Sequence, residues 1–245
     1  MAKYITAFLP ALIFLISCLS SSDTPKPDTE CGSLCEGLIA YYKLDGNGKD
    51  EHGNFDGAQF GVLTLVDNRH GEQNKATYFG KDNYLQVSRY NLSGDISVFG
   101  WFNIKGDFHP NHMVFFGQSV DYSNRWQLIG SRNEITFYDR RGSDNSPYLV
   151  SKPQTLNTWY SLSAVSSPSF EANKKVKLYL NGDFIGEVSS RNISELDAPY
   201  DIGRFYNEFG WDFCDGSMDD IAVYNRQLTA DEVKRLHSEG ISKYR

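Results

Sequence analysis

Between residues 38 and 225 the chain alternates short runs rich in Tyr, Phe, Val and Ile with clusters of Gly, Asn and Asp. That is the rhythm of many short strands joined by turns. Strands are predicted at residues 38–44, 76–79, 84–87, 96–104, 113–118, 126–130, 134–139, 159–165 and 217–224. The firmest hairpin joins 176–180 to 184–188 through Asn181-Gly182, because Asn-Gly accepts positive φ at both central turn positions. Helical periodicity is clear only at 228–237. There Thr229 can cap the first turn, Glu232 can reach back to the capping amide, and Val233 and Leu236 share a face. No tandem repeat or second domain boundary is visible. The pattern predicts an all-β, two-sheet antiparallel sandwich with one short C-terminal helix.

A different pattern opens the chain. Residues 5–16 form an apolar run behind Lys3, shorter than the roughly 20 residues that span a bilayer. The run predicts an export signal over residues 1–17. Leu15-Ile16-Ser17-Cys18 resembles the lipobox of bacterial lipoproteins. That resemblance implies cleavage before Cys18, lipid on its sulfur, and anchorage in the cell envelope, with Leu19 pointing to the outer membrane. The Ser, Pro, Asp and Thr that follow have little to bury, so residues 18–37 read as a flexible tether ahead of a single domain at 38–245.

Composition narrows the partners. The net charge of -7 and pI of 5.2 oppose a phosphate backbone, and no basic stripe offsets them, so nucleic acid is excluded. The 15 Tyr and 16 Phe suit pleated, half-buried surfaces. Of four cysteines, acylation of Cys18 leaves Cys31, Cys35 and Cys214, an odd number. Cys31 and Cys35 are close enough to close a small loop after export, with Cys214 as a buried leftover thiol. Zinc would need a second Cys or His pair at metal spacing, which the sequence lacks.

Several separated stretches carry a family resemblance. They are the opening Ala40-Tyr41-Tyr42-Lys43-Leu44-Asp45-Gly46-Asn47, the turn with Asp50, Gly53 and Asn54, and Thr77-Tyr78-Phe79-Gly80 with Asn83-Tyr84-Leu85. The series continues with 96–102, Trp159-Tyr160-Ser161-Leu162 and Leu178-Tyr179-Leu180-Asn181-Gly182, and closes at 216–229. In this order they resemble the LamG-like jelly-roll family of the concanavalin A-like lectin/glucanase superfamily. The resemblance implies two sheets packed face to face with the first strand beside the last. It also sets Cys35 and Cys214 a strand length apart, beyond the roughly 7 Å that a disulfide tolerates.

Enzymes share that superfamily, so the residues must decide. Retaining glycosidases set two carboxylates about 5 Å apart, often as acids at every second strand position. No such string occurs. Asp219 and Asp220 are adjacent and would point to opposite faces unless the backbone bulges, and Glu134 and Asp139 have the wrong parity. A lyase would need a base and a cation for the uronate, with His109 or His112 near Tyr122 and Arg125 as the candidates. A serine nucleophile lacks its Gly-x-Ser-x-Gly elbow. The expectation is a binding protein with no catalytic residues.

Calcium takes roughly six to eight oxygens, and the family often holds a structural ion. With first and last strands adjacent, the acids of residues 45–56 would approach Asp215, Asp219 and Asp220. Asp45, Asp50 and Asp220 are the preferred ligands, against the alternative that such residues cap turns. For a ligand surface, Trp101, Trp126 and Trp159 read as core, whereas Trp211 lies with Tyr206 and Asn207 in an aromatic, Gly-containing stretch that reads as a loop. Residues 139–145 read as a second polar loop. Two functions follow: a surface-tethered, lectin-like module that binds glycan, or an adhesion module that binds an envelope protein.

Overall fold

The computed structural model describes residues 32–92, 95–106, 113–131, 134–141, 144–152, 154–166, 174–190, 196–207 and 210–241. After a 3₁₀ turn at Gly32–Cys35, the strands run β1 (Leu38–Tyr42), β2 (Ala58–Phe60), β3 (Thr64–Val66), β4 (Ala76–Phe79), β5 (Tyr84–Val87), β6 (Ser97–Ile104), β7 (Met113–Asp121), β8 (Asn124–Gly130) and β9 (Glu134–Arg141). They continue as β10 (Asp144–Ser151), β11 (Trp159–Ser166), β12 (Lys174–Leu180), β13 (Asp183–Ser190), β14 (Tyr200–Ile202), β15 (Arg204–Asn207), β16 (Gly210–Phe213) and β17 (Gly216–Tyr224), before helix α1 (Ala230–Glu239).

Two antiparallel sheets form the sandwich. One has the order β13-β12-β11-β6-β17-β4-β3, with β1 also on β17, and the other β10-β9-β8-β7-β14-β5-β2. Leu85, Val87, Trp126, Leu128, Phe137, Tyr200 and Ile202 of the second sheet meet Phe102, Leu162, Leu178, Met218, Ile221 and Val223 of the first in one buried core. The first strand does pair with the last, Tyr42 opposite Ile221.

A smaller core lies on the outward face of the first sheet, where Val233 and Leu236 of α1 and Leu34 of the 3₁₀ turn cover Tyr41, Phe99, Trp101 and Tyr224. Its helix starts as predicted. The Thr229 side chain accepts from the Glu232 amide, and the Glu232 side chain accepts from the Thr229 amide. The β12–β13 turn also forms as predicted, with φ of 52° at Asn181 and 80° at Gly182.

Four expectations need correction. The tether was placed through residue 37, yet Leu34 is only 2 % exposed and its carbonyl accepts from Tyr224 Oη at 2.9 Å, so the packed domain already includes Gly32–Cys35. Residues 206–213, read as a loop, belong largely to the β15–β16 hairpin, and the supposed loop at 139–145 falls mainly within β9 and β10. Trp101 and Trp126 are buried, but Trp159, near the start of a strand, is half-buried.

Candidate functional site

The two sheets present different outward faces. On the second sheet, inward residues alternate with Ala58, Gln86, Asp201, Gly117, Gln127 and Tyr138, which are successive register partners across β2, β5, β14, β7, β8 and β9. Because their strand neighbours fill the core, this row faces outward. Glycine at its centre is obligatory: a Cβ on Gly117 would lie 2.5 Å from the Trp126 carbonyl oxygen. The Gln127 stem also fills that space, its Cγ 3.0 Å from where such a Cβ would stand.

The polar groups on either side of Gly117 are held in place. Asp201 is 3 % exposed and accepts from Arg204 Nε at 3.0 Å and Gln86 Nε2 at 3.3 Å. Burial pushes its carboxyl up to about 6, and the Arg204 guanidinium and Gln86 only partly oppose this. Gln127 Nε2 donates to Ser119 Oγ at 3.1 Å. Aromatic faces flank the row on both sides. Phe60 stacks on Tyr84 at 4.5 Å with Arg204 above that ring at 3.6 Å, while Arg125 lies between Tyr122 and Tyr138 at 4.4 and 4.6 Å. The β15–β16 hairpin follows directly after Gly203, with Tyr206 and Trp211 as register partners and Asn207 opposite Gly210. Predicted ligand residues 206, 207 and 211 therefore sit on a hairpin that continues from the strand bearing Asp201.

The first sheet carries a cleft of about 400 Å³. Strand β17 creates it: residues 216–218 pair with β4 and 221–224 with β1, so the two partner strands lie end to end and leave Asp219 and Asp220 between them. There the register with β6 shifts and Asp220 takes φ of 51°. This bulge defeats the parity rule. Both carboxylates reach one nitrogen, Arg69 Nη1, at 2.6 and 2.7 Å. Tyr41 Oη also donates to Asp220, and the Arg69 guanidinium lies 4.8 Å from the Trp101 ring centroid. Burial, with Asp220 alongside, raises the Asp219 carboxyl well above the usual range despite Arg69.

The residues do not fit the expected calcium site. Asp50 accepts from the amides of Tyr41, His52 and Phe55 at 2.9, 2.9 and 3.1 Å, and a Cβ on Gly53 would collide with that carboxylate at 2.8 Å. It is a turn-former. Asp45 pairs with Lys75 at 2.9 Å and Asp220 with Arg69, so arginine and lysine hold the positions a cation would take. Among the described residues no group of three or more His, Cys, Asp or Glu is placed to hold a metal. Cys18 and Cys31 lie outside the described residues, so lipidation and the Cys31–Cys35 pairing fall there too. Cys214 is buried and forms no disulfide.

Two antiparallel sheets packed face to face over one core make a β-sandwich. The chain belongs to the concanavalin A-like lectin/glucanases superfamily, whose Laminin_G_3 model matches residues 79–234, more than half of the sequence. No curated protein matches it. Among solved structures, domain 4 of AbnA, a GH43 extracellular arabinanase from Geobacillus stearothermophilus solved in complex with arabinotriose, aligns with a TM-score of 0.63 and 21% identity. The alignment covers 82% of this chain and 98% of that domain. The binding domain of botulinum neurotoxin DC, solved with rat synaptotagmin II, aligns with a TM-score of 0.62 at 12% identity over 84% of this chain and 52% of that one. A structure of botulinum neurotoxin type C, whose cell entry depends on two ganglioside molecules, gives 0.61 and 12% over 84% and 52%. The chain thus spans about half the length of the neurotoxin chains. Identities this low speak for the fold alone.

Proposed function

We propose that this protein is a glycan-binding module held at the bacterial surface by a lipid on Cys18. Its sugar surface is the outward face of the second sheet together with the β15–β16 hairpin. The observation that carries this reading is the row from Gln86 to Tyr138: fixed polar groups on either side of Gly117, with tyrosine rings beyond them. Sugars are held by such a combination, ring faces against C–H surface and a few preorganised polar groups. The arabinotriose complex of the AbnA domain lends support from the fold. Binding is favoured over hydrolysis because Asp201 is the one carboxylate in the row and is engaged by Arg204 and Gln86, whereas glycosidases use two. The Cys31–Cys35 bridge belongs to the same picture of an exported domain.

A glycan array probed with the full-length chain tests this. Retention of a defined glycan, reduced at least tenfold by Tyr138→Ala or Trp211→Ala in variants that melt like the parent, is the expected result. Retention of none, or retention indifferent to both changes, would remove the reading. A protein partner is the second reading, favoured by Phe60, Val62 and Leu65, which are 40, 79 and 40 % exposed on or between the edge strands β2 and β3. A protein ligand lost on Val62→Asp, with no glycan retained, is what that alternative expects.

A further inference from the structure

Arg125 is the least expected residue on the polar face. It is 5 % exposed, yet no carboxylate among the described residues lies within ion-pair distance of it. A guanidinium has five N–H donors. Here Nη1 donates to the Tyr122 carbonyl at 2.9 Å and Nε has no acceptor. The nearby turn acid, Asp121, is directed elsewhere, accepting from the amides of Ser123 and Asn124 at 2.7 and 2.8 Å. Asp121 acts on this charge from beyond contact, so two tyrosine faces and one carbonyl are the groups that touch the guanidinium. At least one buried donor, Nε, is left over.

Tyr122 and Tyr138 clamp the guanidinium by ring faces at 4.4 and 4.6 Å, fixing its plane before any ligand arrives. Arg140 lies over Tyr122 at 3.8 Å and is the register partner of Arg125, so two cations share one ring. Gln127, two residues along β8, joins this cluster to Gly117 and Asp201 along the row. A planar, always-charged fork matches a carboxylate in bidentate fashion, and a neighbouring tyrosine face suits a pyranose ring.

Resting on the glycan-binding reading above, we infer that Arg125 holds the carboxylate of an acidic sugar, and that the module's ligands are uronate-containing polysaccharides. The test measures affinity of the full-length chain for oligogalacturonate, oligoalginate and hyaluronan oligosaccharides, each beside its methyl ester, at low and high salt. A sulfated, uronate-free carrageenan oligosaccharide is the further arm. At least one free acid is expected to bind tenfold or more tighter than its ester, with the gap closing as salt rises. Arg125→Gln should close that gap, weakening the free acid far more than the ester. Arg125→Lys, which keeps the charge but loses the fork, should fall between and carries the test if the glutamine variant does not fold. Equal binding of acids and esters, equal weakening of both by Arg125→Gln, or preference for carrageenan would overturn the uronate assignment and leave glycan binding standing. Failure to bind any sugar, here and on the array, would overturn both.

Discussion

Single residues on the two outward faces answer burial differently. Asp201 keeps an arginine and an amide close, yet burial still raises its carboxyl to about 6, above the unfolded value of about 3.9. The folded state therefore binds the proton more tightly, so this group's stabilisation is complete below pH 4 and is lost as pH rises through 6. Asp201→Asn should remove that slope. In urea unfolding at pH 4, 5, 6 and 7, the variant should gain on the parent by on the order of 2 kcal/mol across the series; a constant difference would show no raised carboxyl. Asp219 and Asp220 depend instead on Arg69. Arg69→Ala leaves their charge buried and unmatched, and a loss of about 3–5 kcal/mol is expected. Asp219→Asn in the same chain should restore part of it, because the acid that most resists ionisation is then gone; no restoration would locate the loss in packing on Trp101.

At the level of elements, legibility in the sequence tracked how local the causes are. The β12–β13 turn is set by two adjacent residues, and the helix start by three positions, and both formed as predicted. Thr229→Ala should accordingly lower stability by about 1 kcal/mol, and Glu232→Ala by more, since Arg226 Nη1 and Nη2 also grip that carboxylate at 2.8 and 2.7 Å. Thermal melts that rank the two losses in the opposite order would assign the capping role to the hydroxyl alone. The polar face was not legible, because its row takes residues 58, 86, 117, 127, 138 and 201 from six strands and only the sheet register brings them together. Asp219 and Asp220 misled for a related reason: alternation assumes a regular strand, and β17 bulges where β4 ends and β1 begins. The acids of residues 45–56 read as ligands because Asp offers the same oxygens to an amide or an ammonium as to an ion; here Asp50 takes the amides of Tyr41, His52 and Phe55, and Asp45 takes Lys75.

Across the whole molecule, the division of labour between the sheets follows from where the chain ends are fastened. Helix α1 and the Gly32–Cys35 turn both pack on the outward face of the first sheet, and among the described residues no helix packs on the polar face of the second. Fastening at the N-terminal side is extensive: Arg226 donates to the carbonyls of Ser33 and Glu36 at 2.9 and 2.6 Å, and Arg235 Nη1 donates to Ser33 Oγ at 3.1 Å. A chain lacking residues 1–30, which keeps Cys31, should thus unfold at the same urea midpoint as one lacking 1–17. Removing residues 1–37 should cost about 2–4 kcal/mol, through lost Leu34 burial and stranded arginine donors. Equal stability of all three would return residues 32–37 to the tether. If the boundary holds at 31, the tether between it and a lipid on Cys18 spans at most roughly 50 Å when extended. The same lipid sets the last expectation. If the proposed lipid on Cys18 is what holds the protein, Cys18→Ser should move it from the membrane fraction to the soluble fraction. Retention in the membrane would mean that the uncleaved apolar run, or a ligand on the polar face, does the holding, and washing with free oligosaccharide would separate these two.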